Sequence, residues 1–246
     1  DIVDEILIVD TGSTDKTKEI AKDICRKLGF EEAKCFDFNW IDDFSAARNE
    51  SLKYATKEWI LIMDADEVIE KQDLDKIKDA IENAEGIAGF SLEQRSYINN
   101  FFEGAVKNNS EFELAKNYPF YLTHFLVRLF ENKSVLYFNH RVHDLVEDSI
   151  KEKGLRYKKL DVVLHHFGSL KDETLIINKA EQYSKIILTQ LEENPESARY
   201  NYQAGKMYLN RNDFGNALIY FKKTAKINPS YKLVFSEIAK IYLQMN

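Results

Sequence analysis

The stretch Trp59-Ile60-Leu61-Ile62-Met63-Asp64-Ala65-Asp66-Glu67 decides the fold class. Its apolar half is continuous rather than alternating, the pattern of a short strand covered on both faces. It then stops abruptly in carboxylates. The same grammar occurs upstream, where Ile6-Leu7-Ile8-Val9 ends at Asp10, Thr11 and Gly12. Between the two runs lie helical patterns. Ile20, Ala21, Ile24, Cys25 and Leu28 recur at helical spacing, with a cap expected at Ser13 or Thr14 and a stop at Gly29. Cys35-Phe36-Asp37-Phe38 reads as a short strand, and Phe44, Ala47, Ser51, Leu52 and Ala55 mark another helix. Beyond the acidic cluster, Leu74, Ile77, Ile81 and Ala84 stripe a further helix before Gly89-Phe90-Ser91-Leu92 resumes strand. Strands alternating with helices predict an α/β domain built on a mostly parallel sheet. Ligands in such sheets gather beyond the carboxyl ends of the strands, where this chain places its acidic residues.

The centre of the chain is less regular. Tyr97 to Lys116 is polar and reads as a long excursion. Phe125 to Phe130, Val135 to Phe138 and Leu160 to Leu164 read as strands, the last running into His165-His166-Phe167-Gly168. From Lys171 the period is helical only. Asn194-Pro195 recurs 34 residues later as Asn228-Pro229, the period of tetratricopeptide (TPR) repeats. Counting back from Pro229 gives one complete repeat, Ala198 to Tyr231, with Ala204, Gly205, Tyr208, Ala217 and Phe221 at its small and aromatic positions. Thr174 to Glu193 supplies a helix before it, and Phe235 to Met245 reads as the first helix of another repeat, so the array is expected to continue. The expected division is an α/β domain over 1–170 and TPR-like helices over 171–246.

Composition narrows the function. A hydrophobic content of 44% and an aromatic content of 13% support a packed core. The formal net charge of −7 argues against nucleic-acid binding, which needs a basic surface to displace phosphate counterions. The two cysteines, Cys25 and Cys35, form no CxxC pair; Cys25 lies on the helix stripe and reads as core packing. No apolar run approaches the ~20 residues of a membrane span. The expected location is the cytoplasm, with peripheral membrane association left open.

The D-x-D of Asp64 and Asp66 carries the chemistry. Two carboxylates at a strand end suit a hard divalent cation such as Mn²⁺ or Mg²⁺, which prefers oxygen ligands and bridges substrate phosphates. An acidic helix start stabilised by the helix dipole is the alternative. An EF-hand is excluded, because its glycine and closing glutamate are absent.

In order and spacing, Ile8-Val9-Asp10-Thr11-Gly12-Ser13-Thr14-Asp15, Asp42-Asp43-Phe44-Ser45-Ala46-Ala47-Arg48-Asn49 and Trp59 to Glu67 together resemble the nucleotide-binding half of family 2 glycosyltransferases. The resemblance covers roughly residues 1–170. It implies a GT-A fold, Rossmann-like, a nucleoside-diphosphate sugar donor, UDP-sugar foremost, and inversion at the anomeric carbon. It places Asp10 and Thr11 at the base or ribose, Arg48 and Asn49 near the uridine and diphosphate, and Asp64 and Asp66 at the metal. Relatives carry a further strand before Ile6, near Val-Lys-Asn-Glu in sequence; this sequence opens at Asp1-Ile2-Val3, so that strand is expected either to be absent or to precede these residues. Arg141-Val142-His143-Asp144 resembles the element that carries the catalytic base, which makes Asp144 the expected base, with Glu147 and Asp148 as weaker candidates. His165-His166-Phe167-Gly168 resembles the element whose histidine completes the metal shell, and His166 aligns best.

The leading expectation is therefore an inverting, metal-dependent glycosyltransferase acting on a peptide, protein or saccharide acceptor through oxygen or sulfur. The TPR segment would meet a protein partner or a second copy of the chain. The alternative is a TPR scaffold whose transferase domain binds a nucleotide without turning over. A nucleotidyltransferase is disfavoured by the lack of a glycine-rich phosphate loop.

Overall fold

The computed structural model describes residues 2–30, 34–101, 104–168 and 173–245. The chain divides into two compact units, Asp1–Glu173 and Thr174–Asn246. The boundary expected at 170/171 falls outside the described residues.

In the first unit, β1 (Leu7–Asp10) pairs in parallel with β2 (Lys34–Asp37) across α1 (Thr17–Lys27). After α2 (Phe44–Tyr54) the chain enters the main sheet with β3 (Trp59–Leu61) and β4 (Glu67–Ile69), followed by α3 (Leu74–Glu82). Then come β5 (Gly89–Ile98), β6 (Val106–Lys107), β7 (Phe120–Glu131), α4 (Glu147–Glu152) and β8 (Tyr157–His166). The main sheet runs β3-β7-β5-β8-β4, with β6 paired to β7. Of these pairings only β5–β8 is parallel. The α/β class holds, but the sheet is mixed rather than mostly parallel. The reason lies in the connection: the long β7 returns antiparallel to β5 across the polar excursion, a segment too short in helix to make a parallel crossover.

β7 divides the core. Leu129 joins Ile77, Phe90, Leu92 and Val162, while Val127 and Phe130 join Leu136, Phe138, Val146 and Ile150. Each such side chain contributes about 1.5–3 kcal/mol on burial. Leu7 of β1, Leu52 of α2, Trp59 and Leu61 of β3 and Ile77 of α3 line a cavity of ≈ 460 Å³ between the two sheets.

Three local expectations are corrected. Helix α1 begins at Thr17, whose N–H donates to Asp15 Oδ1 at 2.9 Å, so neither Ser13 nor Thr14 caps it. Of its apolar stripe only Cys25 is buried; Ile20, Ile24 and Leu28 are exposed. Val135 to Phe138 is not a strand. There Tyr137 N–H donates to Ser149 Oγ, and Phe138 N–H donates to Asn49 Oδ1. Side chains thus supply the acceptors that a neighbouring strand would have supplied.

The second unit is helical: α5 (Glu173–Glu193), α6 (Ala198–Asn210), α7 (Phe214–Ile227) and α8 (Lys232–Met245). Ser197 and Asp213 cap α6 and α7 by accepting from Tyr200 and Asn216 N–H. Ala204, Ala217 and Phe221 are fully buried. A Cβ on Gly205 would lie 2.5 Å from the Phe221 ring, so the absent side chain is what lets α6 and α7 meet. Among the described residues no helix is long and apolar enough to cross a membrane.

Candidate active site

Strand β3 delivers Asp64-Ala65-Asp66-Glu67 into a tight turn, closed by Glu67 N–H donating to Asp64 O at 3.0 Å. Two separate constellations grow from this turn, one on each aspartate.

Asp64 is held by arginines. Its Oδ1 accepts from Arg48 Nη2 at 2.8 Å, and its Oδ2 from Arg128 Nη2 at 3.3 Å. Arg48 Nε also lies 2.5 Å from Asp144 Oδ2. The guanidinium therefore ties the D-x-D to the expected base. Burial works against the charge on Arg48, but the Asp64 and Asp144 carboxylates outweigh it and raise its pKa. Burial likewise pushes Asp64 up, and the two arginines overcome it and hold its carboxyl below the usual range. Beneath lies Glu67, its side chain wholly buried, accepting from Asp64 N–H at 2.7 Å, from Gln94 Nε2 and from Arg128 Nη2 at 3.1 Å. Burial raises the Glu67 pKa, and Arg128 only partly offsets it.

Asp144 is presented by a short loop. Asn139 and Leu145 exchange backbone hydrogen bonds of 3.0 and 3.1 Å, and within the loop His140 and His143 adopt left-handed φ of 74° and 53°. Such conformations cost a non-glycine residue energy and persist where the surroundings impose them. Here Phe44 N–H, at the start of α2, donates to Arg141 O at 2.9 Å and pins the loop over the helix that carries Arg48.

Asp66 takes a different partner. Its Oδ1 lies 3.6 Å from His166 Nε2, and His166 Nδ1 lies 2.9 Å from Ser96 Oγ. A Cβ on Gly168 would sit 2.6 Å from both Asp66 Oδ2 and His166 Nε2. Glycine therefore keeps a side chain out of the position between two donor atoms, one oxygen and one nitrogen, that suit a divalent cation. Among the described residues no group of three or more His, Cys, Asp or Glu gathers as a metal cage. Two protein ligands still fit the habit of Mg²⁺-like ions, which keep waters and take their remaining ligands from substrate phosphates.

The sequence expectations fare unevenly. Arg48, Asp64 and Asp144 come together, as do Asp66 and His166. Asp64 is not directed toward His166, since both its oxygens serve arginines. Asn49 spends both ends of its amide on the Phe138 main chain, donating to O at 2.9 Å and accepting from N–H at 2.7 Å, and so braces the fold. Glu147 is buried and accepts from Val127 N–H at 2.7 Å, which removes it as a base candidate. Asp148 is paired with His140 Nε2 at 2.8 Å. Asp10 ends β1 and turns its carboxylate back on its own loop, accepting from Gly12 and Ser13 N–H; hydrogen bonding, Ser13's side chain foremost, lowers its pKa. Thr11 is exposed beside it. His165 points away from the site. It is 1% exposed, bonded through Nδ1 to Tyr97 OH at 2.6 Å, and burial lowers its pKa to about 4. Glu70 Oε1 lies 3.1 Å from its Nε2, yet that nitrogen has no aligned hydrogen-bond acceptor, so the contact is proximity only.

Sequence reasoning missed Arg128, Gln94 and Ser96. An arginine inside the apolar run Phe125 to Phe130 is the signal that was available, since a buried cation demands a partner. Gln94 and Ser96 share one face of β5 at i, i+2 spacing, and only the strand register reveals what they face.

The chain matches Glycosyl transferase family 2 over residues 2–131. A TPR repeat-containing protein of Synechococcus elongatus is 28% identical over 92% of this chain and 51% of its own length. The glycosyltransferase SunS of Bacillus phage SPbeta is 39% identical over 31% of this chain and 17% of its own length. The chain thus spans about half the length of the first relative. Among solved structures, S. aureus TarS is 16% identical with a TM-score of 0.45, covering 92% of this chain and 44% of that one. A shorter TarS, residues 1–349 in complex with UDP, is 15% identical with a TM-score of 0.41, covering 92% and 83%. With more than half of its length matched to the family, from the N-terminal segment before β1 through β3 and its acidic turn to the end of β7, this chain belongs to glycosyl transferase family 2.

Proposed function

We propose that the chain is an inverting glycosyltransferase that moves a sugar from a nucleoside-diphosphate sugar, UDP-sugar foremost, to an oxygen or sulfur of a peptide, protein or saccharide acceptor. The observation that carries this reading is the Arg48 bridge between Asp64 and Asp144, beside the Asp66–His166 pair. A cation suited to a diphosphate, a carboxylate suited to a proton and two donors suited to a divalent metal around one strand end support this reading.

Asp66 and His166 would hold Mn²⁺ or Mg²⁺, which when bound neutralises charge developing on the departing diphosphate. Arg48, released from its carboxylates by a competing diphosphate, adds a charge-assisted hydrogen bond to the same leaving group. Arg128 stays with Glu67 and keeps the turn in place. The acceptor atom attacks the anomeric carbon as the bond to the diphosphate oxygen breaks. The bonding pair leaves with the nucleotide, and Asp144 takes the acceptor proton. The helical unit would engage a protein partner or a second copy of the chain.

Release of UDP from a panel of UDP-sugars, with and without Mn²⁺, tests this directly. Mn²⁺-dependent release from at least one donor is expected. UDP binding with no release from any donor, even with acceptor peptides and saccharides present, would favour the scaffold reading. Failure to bind UDP at all would refute both.

A further inference from the structure

β5 presents two adjacent hydroxyls, Ser96 and Tyr97, to two adjacent histidines, His165 and His166, on the neighbouring strand β8. Because successive residues of a strand face opposite sides, each hydroxyl finds a different histidine. Ser96 stands in register with His166 and meets its Nδ1 at 2.9 Å, and Tyr97 OH meets His165 Nδ1 at 2.6 Å. The outcomes diverge. His165 is buried against Tyr97 and Phe112, with its ring parallel to that of Tyr97, which itself stacks on Phe167. His166 keeps its Nε2 toward Asp66 and the space over Gly168.

We propose that Ser96 is a positioning residue for His166. Its buried hydroxyl accepts the imidazole Nδ1–H, and so fixes both the ring plane and the tautomer that leaves the Nε2 lone pair directed at the cation position beside Asp66. A metal-binding histidine needs its second nitrogen engaged in this way, and loss of such a partner typically costs about 10–100-fold in metal affinity. Ser96 is suited to the task because it is 9% exposed and strand-borne, so its oxygen does not wander. Tyr97 performs the equivalent service on the opposite face, where no open space adjoins the ring, and its service is structural. The proposal rests on the assignment of Asp66 and His166 to the metal.

The test combines two readouts on the full chain. Mn²⁺ uptake in the presence of UDP is followed by the electron paramagnetic resonance of free Mn²⁺ for wild type, Ser96→Ala, Ser96→Thr, His166→Ala and Tyr97→Phe. The ¹⁵N shifts of His166 report the tautomer in the metal-free protein. Ser96→Ala should weaken uptake about 10–100-fold and mix the His166 tautomers, while Ser96→Thr, which keeps the hydroxyl, should restore both. Tyr97→Phe should lower the thermal midpoint and leave uptake unchanged. If His166→Ala abolishes uptake while Ser96→Ala alters neither uptake nor tautomer, the positioning role is overturned and the metal assignment survives. If His166→Ala leaves uptake unchanged, the metal assignment falls and takes the proposal with it.

Discussion

Gly205 and Asp64 each lie where elements of their unit converge, and different forces hold them there. At Gly205 two helices meet because nothing intrudes: a single added carbon would lie 2.5 Å from the Phe221 ring. At Asp64 three elements meet through charge, with Arg48 from α2 and Arg128 from β7 closing on one carboxylate. The helical contact is local in sequence, repeats with a fixed period and is held by shape. The strand-end contact gathers residues far apart in the chain, and each of its parts is costly to bury without the others. A unit held by shape should tolerate loss of charge and fail on overpacking. A unit held by buried charge should do the reverse.

The largest effect is expected at Asp144. Asp144→Asn keeps the size of the side chain and an acceptor for Arg48 but cannot take a proton, so transfer should fall by roughly 10²–10⁴-fold. UDP affinity, read by calorimetry, should change little. If donor affinity collapses together with transfer, Asp144 belongs to the donor pocket. Next comes Arg128→Met, which strands Glu67 and one oxygen of Asp64 without their buried cation. Chemical denaturation should show a loss of about 3–5 kcal/mol, the usual cost of removing one partner of a buried pair. A loss below 1 kcal/mol would mean that the network is not held by this cation. Gly205→Leu should cost about 1–3 kcal/mol by overpacking, confined to the unfolding of the helical unit. A thermal midpoint indistinguishable from the parent would count against the close α6–α7 contact.

The contrast also explains what could be read from the sequence. The packing of the helical unit was legible in the sequence, because a 34-residue recurrence names packing positions directly: Gly205, Ala217 and Phe221 are at the α6–α7 contact, and Ala204 is fully buried. The strand ends were legible too, since Asp64, Asp66, Arg48, Asp144 and His166 stand in recognisable local patterns. What joins them was not. Arg128, Gln94 and Ser96 reach the site through the pairing of β7 and β8 with β5, and register is set by the whole sheet. The same non-local pairing turned a predicted parallel sheet into a mixed one. Val135 to Phe138 failed as a strand for a related reason. Leu136 and Phe138 are buried as a strand would bury them, but Asn49 and Ser149 provide the acceptors that a ladder would have provided.

The smallest effect is expected at Glu147, where a buried carboxyl serves only the fold. Burial raises its pKa above the unfolded value of 4.5, so the folded chain holds this proton more tightly than the unfolded chain. Its contribution to stability is therefore full below pH 4.5 and is lost as pH rises through the folded value. Glu147→Gln should remove that slope: thermal midpoints of variant and parent should converge in acid and separate, in favour of the variant, toward neutral pH. Transfer activity should be unaffected. A parallel pair of midpoint curves would show that the carboxyl is not titrating as described.

Asp66 is the residue on which the metal-dependent reading turns: its neighbour Asp64 is held by arginines, whereas Asp66 faces His166 across 3.6 Å. Calorimetric titration of UDP into wild type and Asp66→Ala, with and without Mn²⁺, isolates that role. Mn²⁺ should tighten UDP binding to wild type and have no effect on Asp66→Ala, with metal-free UDP affinity preserved in both. Equal tightening by Mn²⁺ in the two proteins would contradict the assignment of this strand end as the metal-dependent donor site.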